Sequence, residues 1–126
     1  MVDKDHGNYI VTLVRNNLLH YQLWNDVHVR DQKLLWKGRT FQVITGRPSH
    51  KLSNDGDYED DIHLEYVLPV EMSDYKNSDF TLECLDEVFT KLCDTECKRL
   101  TLAIVNNDGT VVFYFIYKGI HKPKRN

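Results

Sequence analysis

The chain has no run of about 18 consecutive apolar residues, roughly the length that a membrane-spanning helix needs, so no segment reads as a span. Its first residues, Met1-Val2-Asp3-Lys4-Asp5, lack the apolar core of a signal peptide. An intracellular protein without membrane insertion is expected, in the nucleus or the cytoplasm. Cysteine is scarce: Cys84, Cys93 and Cys97 are the only three. An odd number argues against a disulfide framework, and the spacing matches no zinc pattern. Cys93 and Cys97 could share a helix face and bind a metal with a distant His, but small buried thiols in a reducing compartment account for all three more simply. No metal and no cofactor is therefore expected. An excess of basic charge is missing as well: 16 Lys and Arg stand against 19 Asp and Glu, a formal charge of −3, which excludes the global signature of a dedicated nucleic-acid binder.

What the chain does have is local. Acidic residues crowd one segment (Asp55, Asp57, Glu59, Asp60, Asp61), and cations gather at the end (Lys118, Lys122, Lys124, Arg125). The most informative stretch is 98–117, where two β-branched and aromatic runs flank Asn107-Asp108-Gly109. Asp-Gly between such runs predicts a hairpin, with Gly109 supplying the positive φ of a primed turn. The second run places Val111, Phe113, Phe115 and Tyr117 on one face and Val112, Tyr114 and Ile116 on the other, so neither face is polar. Such a strand is either central in a covered sheet or an edge that another chain will pair, because a long apolar edge is normally blunted by charge or Pro.

A chain of 126 residues suits one domain that buries roughly two thirds of its unfolded-chain surface. After a tail of about residues 1–8, Tyr9 to Leu23 carries a helical stripe of Ile10, Val14, Leu18 and Tyr21. Strands follow at about 24–30, 34–36 and 40–45, the last two around a Lys37-Gly38 turn, and Gly46-Arg47-Pro48 stops the third. Residues 49–62 form an acidic loop too short to separate domains. Leu64 to Val70 reads as a strand whose Pro69 argues for an edge or a strand end. A second helix, capped by Ser78 or Asp79, would bury Leu82, Leu85, Val88, Phe89 and Leu92, with a supportive Glu87–Lys91 pair outside. A basic tail, 118–126, ends the chain. Helix, short strands, helix and two strands predict an α+β single domain, a mixed or mostly antiparallel sheet packed by helices.

Three blocks resemble the tRNA-splicing endonuclease family, in that family's order: Phe41-Gln42-Val43-Ile44-Thr45-Gly46-Arg47-Pro48, His63-Leu64-Glu65-Tyr66-Val67, and Lys98-Arg99-Leu100 through Phe113-Tyr114. The ends, Leu18-Leu19-His20-Tyr21-Gln22-Leu23-Trp24 and Tyr117 to Asn126, resemble those of the smallest, non-catalytic subunit of the fungal enzyme. The resemblance implies a fold like the tRNA-intron endonuclease catalytic domain and metal-free RNA cleavage by a Tyr, a His and a Lys. The active pattern resembles Phe-x-Val-Tyr-Pro-Gly-x-Pro, so Ile44 stands at the Tyr position, where an alkyl group can neither accept nor donate a proton. Tyr58 would have to fold back from the acidic loop to replace it. His63 and Lys98 fall at the His and Lys blocks as candidates for a remnant site.

The resemblance also implies two surfaces on a non-catalytic subunit. The last strand (Val111, Phe113, Tyr114, Phe115, Tyr117) would pair with a neighbouring subunit, and the turn before it (Asn107, Asp108, Gly109) would enter a basic pocket across a heterotetramer. The implied partners are the catalytic and structural subunits, with precursor tRNA met weakly or indirectly; Lys118, Lys122, Lys124 and Arg125 are the candidates for RNA contact. In yeasts the complex would carry the chain to the cytosolic face of the mitochondrial outer membrane. Two alternatives stay open: a partly active, metal-independent ribonuclease, and a free-standing homodimer built on the same strand.

Overall fold

The computed structural model describes residues 2–49, 64–76, 80–94 and 97–118, with side chains from Tyr9 onward. Its elements are α1 (Val2–His20), β1 (Asn25–Trp36), β2 (Arg39–Arg47), β3 (Glu65–Glu71), the single turn α2 (Met72–Tyr75), α3 (Leu82–Lys91), β4 (Arg99–Val105) and β5 (Val111–Tyr117). The sheet order is β1-β2-β3-β4-β5. Only β3–β4 is parallel, with α2 and α3 lying between the two strands in sequence. The fold is thus α+β with a mixed, mostly antiparallel sheet.

Alternation along the strands gives the sheet two apolar faces, one for each long helix. The α1 stripe of Ile10, Val14 and Leu18 packs on Trp24, Ile44, Val67, Ala103 and Val105. On the other face Cys84, Leu85, Val88, Phe89 and Leu92 pack on Phe41, Val43, Leu68, Val70, Leu100, Leu102 and Ile104. Gly46 is needed between β2 and the segment that opens β1. A Cβ there would stand 3.0 Å from the Trp24 ring and 3.3 Å from Val27 Cγ2.

Several local expectations need correction. The first helix runs from Val2 to His20 rather than from Tyr9 to Leu23, and Tyr21, just beyond it, is exposed. The two strands expected at 24–30 and 34–36 are one strand, β1, whose register shifts twice against β2, between Asn25 and His28 and between Val29 and Lys33. Bulges of this kind let a strand continue through residues that do not alternate. Pro69 is not in an edge strand, because β3 runs between β2 and β4. It is tolerated because the β2–β3 pairs end at Ile44↔Val67, before Pro69, although β2 itself continues to Arg39.

The α3 cap is Thr81, whose hydroxyl accepts from the Cys84 N–H at 3.3 Å. Ser78 and Asp79 lie outside the described residues, as does the acidic segment 55–61. Leu82 opens the helix and is half exposed, while the Glu87–Lys91 pair forms at 3.2 Å.

Candidate protein-pairing edge

Among the described residues β5 closes one end of the sheet and pairs only with β4, from Arg99↔Tyr117 to Val105↔Val111. Two bonds fix the phase of the ladder: Asn106 N–H donates to Thr110 O at 2.8 Å, and Lys118 N–H to Lys98 O at 2.9 Å. In an antiparallel pair alternate residues turn both backbone groups toward the partner strand. Val112, Tyr114 and Ile116 are therefore in phase with Thr110 and Lys118 and bond to β4. Val111, Phe113 and Phe115 direct their N–H and C=O groups away from it, to the open side. The side chains add apolar surface on both faces. Val112 and Tyr114 are exposed, at 38% and 52%. Val111 and Phe113 are partly buried under the α1 cluster, and Ile116 against the α3 cluster.

The opposite edge is built differently. β1 carries Asp26, His28, Arg30, Asp31 and Lys33, two register shifts, and a left-handed Asp26 at φ 54°. One carbonyl of its bulged stretch, Arg30 O, accepts from the Gln42 side chain at 2.7 Å. Charge and bulges are the usual means of keeping an edge from pairing. β5 has neither.

The turn between β4 and β5 is also not the expected primed one. A type I′ turn needs positive φ at both central residues. That condition is met at Lys37 (φ 50°) and Gly38 (φ 84°), between β1 and β2, whereas in the second hairpin only Gly109 (φ 90°) is positive. With Gly109 N–H on Asn106 O at 2.9 Å, the loop Asn107-Asp108-Gly109 is a type I turn followed by a left-handed glycine. Asp108 is exposed and builds this turn. Its Oδ1 accepts from the Thr110 N–H at 3.1 Å and from the Thr110 hydroxyl at 2.8 Å. The hydroxyl and backbone donors of Thr110 hold the Asp108 carboxyl below the ordinary carboxylate range.

Two of the three remnant-triad positions fall among the described residues. Ile44 is fully buried beneath α1, Lys98 is exposed just before β4, and His63 lies outside the described residues. Lys118 is exposed at the end of β5; Lys122, Lys124 and Arg125 fall outside the described residues. Among the described residues no group of three or more His, Cys, Asp or Glu is placed to hold a metal, and no helix is long and apolar enough to cross a membrane.

Two polar clusters near these positions were missed in the sequence. Arg99 Nη2 donates to Glu65 Oε2 at 2.5 Å, and its guanidinium lies 4.2 Å from the centroid of the Phe115 ring, which packs edge-on to Tyr117. Burial opposes the Arg99 charge, but Glu65 and Tyr117 more than offset it and raise its pKa. On the opposite face the Tyr66 hydroxyl donates to Asp94 Oδ2 at 2.6 Å, and Arg30 lies 3.5 Å from Asp94 Oδ1. Burial and the bond to Asp94 raise the Tyr66 pKa, while Tyr66 and then Arg30 lower that of Asp94. The available signal was a charged residue opening each apolar run, Glu65 and Arg99. That they meet depends on the parallel β3–β4 register, which no local pattern encodes.

Residues 13–126 match the family model described as Sen15 protein. The chain belongs to the Sen15 family. It is similar to the tRNA-splicing endonuclease subunit SEN15 of Eremothecium gossypii, with 49% identity over 120 residues, covering 93% of this chain and 91% of that protein.

Proposed function

We propose that this chain is a non-catalytic structural subunit of a tRNA-splicing endonuclease, the complex that removes introns from precursor tRNA. Its β5 edge would extend the sheet of a catalytic subunit, and its Asp108 turn would enter a basic pocket elsewhere in a heterotetramer. The observation that carries this proposal is the contrast between the two sheet edges: β1 is bulged and charged, while β5 offers outward backbone groups at Val111, Phe113 and Phe115 flanked by apolar side chains. The relative's name supports the choice of complex. The buried alkyl group of Ile44 supports a non-catalytic role, since the proton transfer expected of a Tyr there has no carrier. Lys118 and the cations after it remain the candidates for a weak contact with tRNA phosphates.

Reconstitution with the catalytic subunits tests both halves. The chain is expected to co-purify with them, and His63→Ala or Lys98→Ala in this subunit should leave the chemical step of the assembled complex nearly unchanged. A loss of about 100-fold with assembly intact, about 2.7 kcal/mol of transition-state stabilisation, would give those residues a direct chemical role. Isolated chain that cleaves intron-containing tRNA would favour the ribonuclease alternative. A stable homodimer that catalytic subunits fail to displace would favour the free-standing module.

A further inference from the structure

The turn between β4 and β5 holds an Asp-Gly bond with no packing over it. Residues 107–110 are exposed, and a Cβ placed on Gly109 would meet nothing within 4 Å. An aspartate before glycine is prone to attack by the next main-chain nitrogen, because glycine has no Cβ to hinder the approach. Hydrogen bonds, rather than packing, restrain this bond. Gly109 N–H donates to Asn106 O at 2.9 Å, and Asn106 N–H donates to Thr110 O at 2.8 Å. Asp108 Oδ1 accepts from the Thr110 N–H at 3.1 Å and from the Thr110 hydroxyl at 2.8 Å. The same hydroxyl accepts from Asn106 Nδ2 at 2.9 Å. Asn106 and Thr110 thereby clamp both reacting groups, the carboxyl and the nitrogen that follows it.

We propose that Asp108–Gly109 is a covalent modification site at which the main chain isomerises to isoaspartate, and that Asn106 and Thr110 form a latch that restrains the reaction in the folded chain. The Gly109 nitrogen gives up its proton to solvent and attacks Cγ of the protonated Asp108 carboxyl. A new N–Cγ bond closes a succinimide ring, the Cγ–OH bond breaks, and one water leaves. A second water then adds to the main-chain carbonyl carbon of Asp108 and breaks its bond to Gly109. The chain is left joined through Cγ, with the α-carboxylate free. One water leaves and one enters, so the mass is unchanged and no oxidant is needed.

Each half of the latch opposes one part of the ring closure. The Asn106 carbonyl holds the Gly109 proton, which keeps the nitrogen a poor nucleophile. The Thr110 donors stabilise the carboxylate and hold its pKa below the ordinary range, so the protonated, reactive form is scarce at neutral pH. Rotation of the carboxyl out of this position breaks both Thr110 bonds. Isomerisation adds Cβ to the main chain between β4 and β5 and takes the side-chain acceptor away from Thr110. This reactivity belongs to the chain by itself and does not depend on the pairing role of β5.

The test ages the folded full-length chain at neutral pH and body temperature. Mass spectrometry with electron-transfer fragmentation follows the Asp108 peptide, methyl transfer from S-adenosylmethionine by an isoaspartyl methyltransferase counts the product, and circular dichroism checks the fold. Wild type should react about tenfold faster in urea than folded. Thr110→Val keeps the backbone donor and loses the hydroxyl; while folded it should isomerise about fivefold faster than wild type. Thr110→Ser, which keeps the hydroxyl, should match wild type, and Asp108→Ser should give no isoaspartate in this peptide. Wild type that reacts as fast folded as in urea, or Thr110→Val that reacts no faster than Thr110→Ser, would overturn the latch. Absence of isoaspartate at Asp108 even in urea would overturn the site itself.

Discussion

Glu65 and Arg99 stand beside one another at the starts of the parallel strands β3 and β4, joined by a 2.5 Å bond between side chains that are 9% and 20% exposed. The pair ties the two central strands together, and Arg99 extends the tie to β5 by lying over Phe115. Removing one member of such an enclosed pair leaves the other charge without its partner. Arg99→Met and Glu65→Leu should each destabilise the chain by about 3 kcal/mol, while the double variant should recover most of that loss. Urea unfolding of the four proteins measures the coupling. Equal, additive losses would show that the pair acts only through packing.

The Tyr66–Asp94 bond makes a pH prediction with a definite sign. The folded chain depresses the Asp94 pKa, so this contribution is complete above the unfolded carboxylate value and fades as pH falls through the folded one. The Tyr66 pKa is raised, so its contribution is complete below the unfolded phenol value and fades as pH rises through the folded one. Tyr66→Phe should therefore flatten the stability profile at both ends, below about pH 4 and above about pH 10, relative to wild type. Thermal unfolding across pH gives the readout, and parallel profiles would remove the bond from the account.

Ladder phase separates two proline substitutions on neighbouring residues. The Phe113 N–H faces the open edge, whereas the Tyr114 N–H bonds to β4. Phe113→Pro should leave a folded chain that fails to pair with a partner subunit, while Phe113→Ala, which keeps the donor, should retain weakened pairing. Tyr114→Pro should break the β4–β5 ladder itself, at a cost of about 3 kcal/mol or more. Circular dichroism and sedimentation with the catalytic subunit report folding and pairing separately. A Phe113→Pro chain that assembles like Phe113→Ala would place the interface elsewhere.

Asp108 carries two duties that a pair of variants can divide. Asp108→Asn keeps an oxygen acceptor for Thr110 and removes the charge; Asp108→Lys removes both. If the turn enters a basic pocket, Asn should weaken the larger assembly and Lys should weaken it further, by about 2–5 kcal/mol for the reversal. The strand-paired dimer should survive both. Sedimentation at low and high salt distinguishes the species, since added salt screens the same contact. Equal assembly by wild type and Asp108→Asn would reduce Asp108 to a turn residue.

Elements with strong local periodicity were legible in the sequence. The α1 stripe of Ile10, Val14 and Leu18, the buried face of α3 and the β4–β5 hairpin around Gly109 each follow from neighbours a few residues apart. The Phe41–Pro48 and Lys98–Tyr114 blocks carried the family as well, because motif order survives without coordinates. Features that depend on distant partners did not show. Pro69 looked like an edge signal, and only the end of the β2–β3 pairs explains it inside the sheet. The bulges of β1 concealed one strand as two. Whether the apolar run Val111–Tyr117 was central or an edge depended on sheet order, and which of its residues face outward depended on ladder phase. The same holds for Glu65 with Arg99 and Tyr66 with Asp94. Local sequence determines where helices and strands form because backbone geometry and periodic burial act over a few residues; which strand lies outermost and which charges meet are decided by register between segments far apart in the chain.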